Sequence, residues 1–155
     1  LIRDRGEDPL ELMLPFREPL DAFRQATHGI RPLETMLTVH VTAGMLDDFY
    51  LSLSGSYGET GRRAAGILRA DADRSPLVAI ITDAISADDE MRSLLSLWGR
   101  RLVGDTLLVA RGALRPNTME RPGALDRDDE KQVEPVFTQL LGAHSRRMTS
   151  IGLDA

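Results

Sequence analysis

The stretch ILRADADRSP, residues 67–76, places Asp71 and Arg74 three residues apart. On a helix such side chains share a face. An acid followed three residues later by histidine is a half-site for paired metal ions in helical bundles. Here arginine fills the second position, and Pro76 follows two residues on. Three readings stand open: a metal site, the remains of one, or an ion pair at a helix end. An exposed pair of that kind is worth only about 0.3–0.5 kcal/mol.

The other groups able to do chemistry are scattered. The chain has three histidines, His28, His40 and His144, and no cysteine. Thiolate metal sites, disulfides and cysteine nucleophiles are therefore excluded. His144 falls on the apolar face of the last helical pattern and reads first as a core or interface histidine with one hydrogen bond. A ligand role is the minor alternative. His40 has no carboxylate three or four residues on and reads as facing solvent or a neighbour. The pairs Arg62/Arg63, Arg100/Arg101 and Arg146/Arg147 read as solvated faces or as partners for carboxylates. No Gly-rich phosphate loop, G-x-S-x-G elbow or H-E-x-x-H motif is present.

The elements that must position these groups are helical. Leu33, Met36, Leu37, Val41, Met45, Leu46, Phe49 and Leu53 recur at threes and fours, predicting a central helix over 32–53. Val39 and Tyr50 widen its stripe, and Glu34 is placed to cap it. SGSYG (54–58) reads as a loop. Further helices are expected at 59–73, 76–85, 87–113 and 130–151. The residue before proline avoids the helical region, so a break is expected near 74–76. Ser75 and Ser86 are the expected N-caps. Near the start, Gly6 ends one turn, Pro9 starts another over 9–14, and 19–27 makes a further short helix. Residues 115–129 form a Pro/Gly-rich polar loop. The expected core is Leu37, Val41, Phe49, Ile67, Ile81, Trp98, Leu102, Phe137, Leu140 and Met148. No strand alternation or internal repeat is visible. The class is all-α.

With 155 residues the chain fits one domain, spanning 1–155. Its net charge of −5 gives no electrostatic footprint for nucleic acid. No apolar run reaches the roughly 20 residues of a membrane helix, and no signal peptide is visible, so a cytoplasmic location is expected. Lys131 is the only lysine, an arginine bias that fits a GC-rich genome.

Five strings carry a family likeness: EDPLELMLPFREPLDAF (7–23), AGMLDDFY (43–50), RADADRS (69–75), LWGRRLVGDTL (97–107) and LLGAHSRRMTSIGL (140–153). In collinear order they resemble an actinobacterial branch of the ferritin-like superfamily, related in name to tRNA 2-methylthio-isopentenyladenosine hydroxylases. The resemblance implies a ferritin-like helical bundle and a carboxylate-bridged di-iron centre with ligands on four helices. The first two ligand helices would lie before Leu1, where the chain opens as if at a helix end. The acid expected in the central helix falls on Ala43. The acid-x-x-His motif falls on Asp71 and Arg74. Alanine has no donor atom, and arginine stays protonated and cannot ligate a metal. Ala43, Asp71 and Arg74 are thus vestigial positions, and Arg74 stands to replace metal charge by pairing with Asp71 or another buried carboxylate.

The expectation is a ferritin-like protein without its di-iron site, holding no cofactor and acting in binding or scaffolding. The uncovered stripe of Val39, Met45 and Leu46 points to a homo-oligomer, a two-fold dimer first. The alternatives are a di-iron oxygenase or hydroxylase with two iron ions, and the helical ligand-binding domain of a transcriptional regulator.

Overall fold

The computed structural model describes residues 3–70, 73–113 and 127–155, with side chains at all of these except 5, 109–113 and 127–133. Every regular element among them is helical. Asp8 caps the first short helix, α1 (Pro9–Met13), by accepting from the Leu10 amide at 2.9 Å, with Pro9 in the first turn. A 3₁₀ turn, Leu14–Phe16, leads into α2 (Arg17–Thr27).

The central rod spans 32–54 in three parts: α3 (Pro32–Thr38), a π turn (Val39–Ala43) and α4 (Gly44–Ser54). Its start is held by the Glu34 carboxylate, which accepts from the Ile30 and Arg31 amides at 2.9 and 3.1 Å. The π turn has a cause in the sequence. Leu33, Leu37, Val41, Met45, Phe49 and Leu53 stand at strict steps of four. At 3.6 residues per turn such a stripe drifts by about 40° per step. One wider turn takes up part of that drift and returns Met45 and Phe49 to the core.

A 3₁₀ turn at Gly55–Tyr57 stands where a loop was expected, and Gly58, at φ 54°, turns the chain into α5 (Gly58–Ala70). Then α6 (Ser75–Ser86), α7 (Asp89–Ala113) and α8 (Arg127–Ser150) follow. The break before Pro76 is present. The expected caps differ. Arg74, not Ser75, holds the N-cap position of α6, and the preceding Asp73 carboxylate accepts from the Ser75 amide at 3.0 Å. Asp88, not Ser86, caps α7 by accepting from the Met91 amide at 2.9 Å. Most of the expected 115–129 loop lies outside the described residues, and 127–129 belong to α8. That helix closes in a Schellman turn: Gly152, at φ 82°, lets the Leu153 amide reach the Met148 carbonyl at 3.0 Å.

The main core joins the rod, α6, α7 and α8 through Leu37, Val41, Met45, Ile81, Ile85, Leu95, Leu102, Met148 and Ile151. The approach is close. A Cβ on Gly99 of α7 would lie 2.2 Å from the Met148 methyl. A second cluster packs Phe49 of α4 against Leu140 of α8. Trp98 and Phe137 are only partly buried; the Trp98 indole donates to the Thr38 hydroxyl at 2.9 Å, and the Arg101 guanidinium covers its ring. Ile67 is corrected outright: it is 60 % exposed on the outer face of α5. Val39 is half exposed, because it stands two residues from both Leu37 and Val41 and so on the far side of the rod, whereas Met45 is buried within this chain. Met45 therefore needs no partner to cover it.

Candidate functional site

One face of the core is polar. It gathers His40 from the π turn, Asp47 and Asp48 from α4, Arg74 from the start of α6, and His144 and Arg147 from α8. The Arg74 guanidinium pairs with the Asp47 carboxylate, and both side chains are about three-quarters buried. The Arg147 Nη2 donates to Asp48 Oδ2 at 2.5 Å, with 16 % of the Arg147 side chain exposed. Each guanidinium thus reaches from another helix to one of two adjacent carboxylates on α4.

The local backbone makes room for this. The break between α5 and α6 leaves Arg74 at the N-cap position, where its side chain points across the bundle instead of along a helix face. Gly44 does the same for Arg147. A Cβ there would lie 2.4 Å from Arg147 Nε and 2.6 Å from Cζ, so the guanidinium lies directly against the Gly44 backbone. Ala43 precedes it and adds only a methyl group.

His40 and His144 are buried, with 8 % and 3 % of their surfaces exposed. All four of their ring nitrogens, and Arg147 Nη1, are buried without a hydrogen-bond partner. Burial first, then the Arg147, Arg74 and His144 charges, lower His40 to about 4. Burial and then Arg147 lower His144 to about 4. Both imidazoles are therefore neutral at pH 7, each carrying one N–H and one bare nitrogen.

The positions expected from sequence are distributed unevenly. Arg74 and His144 belong to this polar face, Ala43 adjoins it, and Asp71 lies outside the described residues. Arg74 is paired with Asp47, 27 residues away on α4. His40, expected to face solvent or a neighbour, is buried beside residues of α6 and α8, and His144 lacks the single hydrogen bond expected of it. Sequence reasoning assigns no role to Asp47 and Asp48, and it offers Arg147 only as a solvated residue or a partner for an unnamed carboxylate. Asp47 and Asp48 stand among apolar neighbours in GMLDDFYL, and the steps of four along the rod signal the π turn that brings His40 inward. No sequence signal pairs Arg147 with a carboxylate 99 residues away.

Chemically, the face offers cationic and neutral N–H donors, imidazole nitrogens and two carboxylates already held by guanidiniums. Among the described residues, no three His, Asp or Glu side chains come together in a group that could hold a metal ion. No described helix is long and apolar enough to cross a membrane.

No curated protein matches the sequence. A family model described as a ferritin-like domain of actinomycetes matches residues 1–115, which include the rod, α5, α6 and α7. The matched span supplies His40, Asp47, Asp48 and Arg74, while α8 brings His144 and Arg147 from outside it. An all-helical bundle matched over most of its length makes this chain a member of the actinomycete ferritin-like family.

Proposed function

We propose that this chain is a ferritin-like protein whose di-iron centre has been replaced by internal ion pairs, and that it acts by binding or scaffolding without catalysis. The observation that carries this reading is the pairing of Arg74 and Arg147 with Asp47 and Asp48. A di-iron centre needs several carboxylate and histidine donors around each ion. The residues present do not fit that need. Ala43 has no donor, Arg74 stands in the acid-x-x-His motif, and two guanidiniums hold the α4 carboxylates. Carboxylates in a water-poor interior need a cation or a proton, and arginine supplies fixed positive charge without a metal.

Within the family, the strings LWGRRLVGDTL and LLGAHSRRMTSIGL favour the branch related in name to tRNA-modifying hydroxylases. The chain works in the cytoplasm as a homo-oligomer, a dimer first. Large apolar side chains at the surface support association: Leu10, Leu14, Phe16 and Leu20 near the start, and Tyr57 and Ile67 around α5.

Iron titration of the full chain tests the central claim. The expected result is no stoichiometric iron after anaerobic ferrous loading and desalting. Two tightly held irons per chain would overturn it. Light scattering tests the dimer, and a monodisperse monomer at high concentration sinks it. A second reading, a di-iron hydroxylase, draws on the unpartnered ring nitrogens of His40 and His144, which are ligand atoms in type. It requires both guanidiniums to leave their carboxylates, and the same titration decides it.

A further inference from the structure

We infer that the polar face is a binding site for a small oxyanion, taken up together with a proton on His40 or His144. This rests on the reading that the centre holds no metal, and it names what the centre binds. Three observations meet here.

The first is the set of unused donors. Arg147 spends Nη2 on Asp48 and leaves Nη1 buried and free, while His40 and His144 each bury two unpartnered ring nitrogens. A buried polar atom without a partner costs about 1–3 kcal/mol, so three unpaired donor nitrogens and two bare ring nitrogens in one place call for an occupant. Guanidinium and imidazole N–H groups fit an oxyanion, which accepts on every oxygen.

The second is the sign of the local field. Around His40 stand Asp47 and Asp48 on α4, Arg74 at the head of α6, and His144 and Arg147 on α8. The third neighbour of the π turn, α7, places uncharged Leu102 in the same cluster as Val41, and its Asp105 lies 4.0 Å from Arg101. The two standing charges that act on His40, Arg147 and Arg74, both disfavour its protonation, as positive charge does. Such a field repels a second cation and welcomes an anion. Two arginines already balance two aspartates, so an added anion brings uncompensated charge. A proton on a buried imidazole restores the balance.

The third is an adjoining cleft. A cleft of about 300 Å³ runs between α4 and α8, lined by Asp48, Ser52, Gln139, Ala143 and Arg146 among others. It borders the Asp48–Arg147 pair and the helix turn that carries His144. Arg146 stands at this cleft with an exposed side chain that can draw an anion in. Asp48 opposes entry, but its charge is held by Arg147.

The histidines report on this directly. The chain has only three, and His28 is exposed, so it serves as the internal control. The probe is inorganic sulfate, whose charge does not change over the working range, added to the full chain at constant ionic strength in chloride. Carbon-edited NMR of the imidazole rings is followed at several values between pH 7.5 and pH 5.5. The expected result is saturable movement of the His40 or His144 signal toward the protonated shift, with His28 unmoved. The apparent Kd should tighten by about tenfold per pH unit, the slope for one linked proton. His144→Gln combined with His40→Gln should flatten that slope. Movement of His28 alone, no movement, or a pH-independent Kd overturns the proposal. Ferrous iron supplies the second arm. Paramagnetic broadening of His40 and His144 would overturn the metal-free reading, whereas silence toward both iron and sulfate overturns the anion site alone.

Discussion

The apolar core and the polar face share the same helices, one residue apart. His40 adjoins Val41 in the π turn, and Arg147 adjoins Met148 on α8. Val41 and Met148 are fully buried among Leu37, Ile81, Leu95 and Leu102. Their neighbours turn toward Asp47, Asp48 and each other. The two regions are stabilised differently. The apolar side gains from area removed from water, without directional demand. The polar side depends on specific partners, and a partner lost there leaves a group desolvated for nothing. One region should therefore be insensitive to pH and salt and the other sensitive to both, although they are contiguous.

The largest effect is expected on the apolar side. Leu102 is completely buried, at the centre of α7. Leu102→Ala should cost about 2–5 kcal/mol in denaturant unfolding, from lost transfer energy and the cavity left behind. The loss should be the same at pH 7.5 and pH 5.5, since no titrating group enters it. A loss that changed with pH would show that the two regions are not separable.

Acid comes next and should act on the polar side alone. His40 and His144 sit at about 4 in the folded chain against an ordinary 6.5. Between those values the unfolded chain binds more protons than the folded one. Stability from the neutral imidazoles is complete above pH 6.5 and falls as pH drops through that window toward 4. Between pH 7.5 and pH 5 the loss should be about 2 kcal/mol for each imidazole, about 4 kcal/mol for both. His144→Leu should halve that slope, and a variant at exposed His28 should leave it alone. Equal slopes in all three proteins would place the acid sensitivity elsewhere.

The ion pair separates partner loss from pair loss. Arg147→Ala should cost about 1–3 kcal/mol, because it leaves the Asp48 carboxylate partly buried and unpaired. Arg147→Met together with Asp48→Leu should recover most of that, since apolar groups of similar size can replace a buried pair at little cost. If the double variant is no better than the single one, packing against Gly44 matters more than charge. Gly44→Ala then tests the packing directly, through the contact its methyl group would force on Arg147 Nε.

Local rules are enough to read the apolar side from sequence. Leu37, Val41, Phe49, Ile81, Leu102, Leu140 and Met148 follow helical spacing, and all are buried. Ile67 also follows it, yet stays exposed, because spacing shows that a face exists and not that another helix covers it. The capping carboxylates, Asp73 and Asp88, each stand two residues from the serine that the sequence points to, since serine and aspartate there have the same local chemistry. The polar side was legible only in part. Arg74 stood out, but its partner lies on another helix, and three-residue spacing drew attention to Asp71 instead. His40 reads as facing solvent or a neighbour because no carboxylate stands three or four residues on, and the groups that surround it come from α6 and α8, beyond the reach of local spacing. Family likeness fixed where the ligands were to be expected, but not what took their place, for α8 lies beyond the matched residues.

The smallest effect belongs to a pair that looks equivalent on paper. Arg62 and Glu59 on α5 are 2.5 Å apart, the same separation as Arg147 and Asp48. Their side chains are 73 % and 70 % exposed. Water solvates both charges whether or not they pair, and holding two long side chains together costs rotamer entropy. Such a pair is worth about 0–1 kcal/mol, and Arg62→Ala should change stability by less than about 0.5 kcal/mol. High salt should erase even that, whereas the cost of Arg147→Ala should persist, because counterions reach a part-buried pair poorly. Measuring both variants at low and at high sodium chloride gives the contrast in one experiment. Were Arg62→Ala as costly as Arg147→Ala, distance alone would set the strength of an ion pair here, and burial would not distinguish the polar face from the surface.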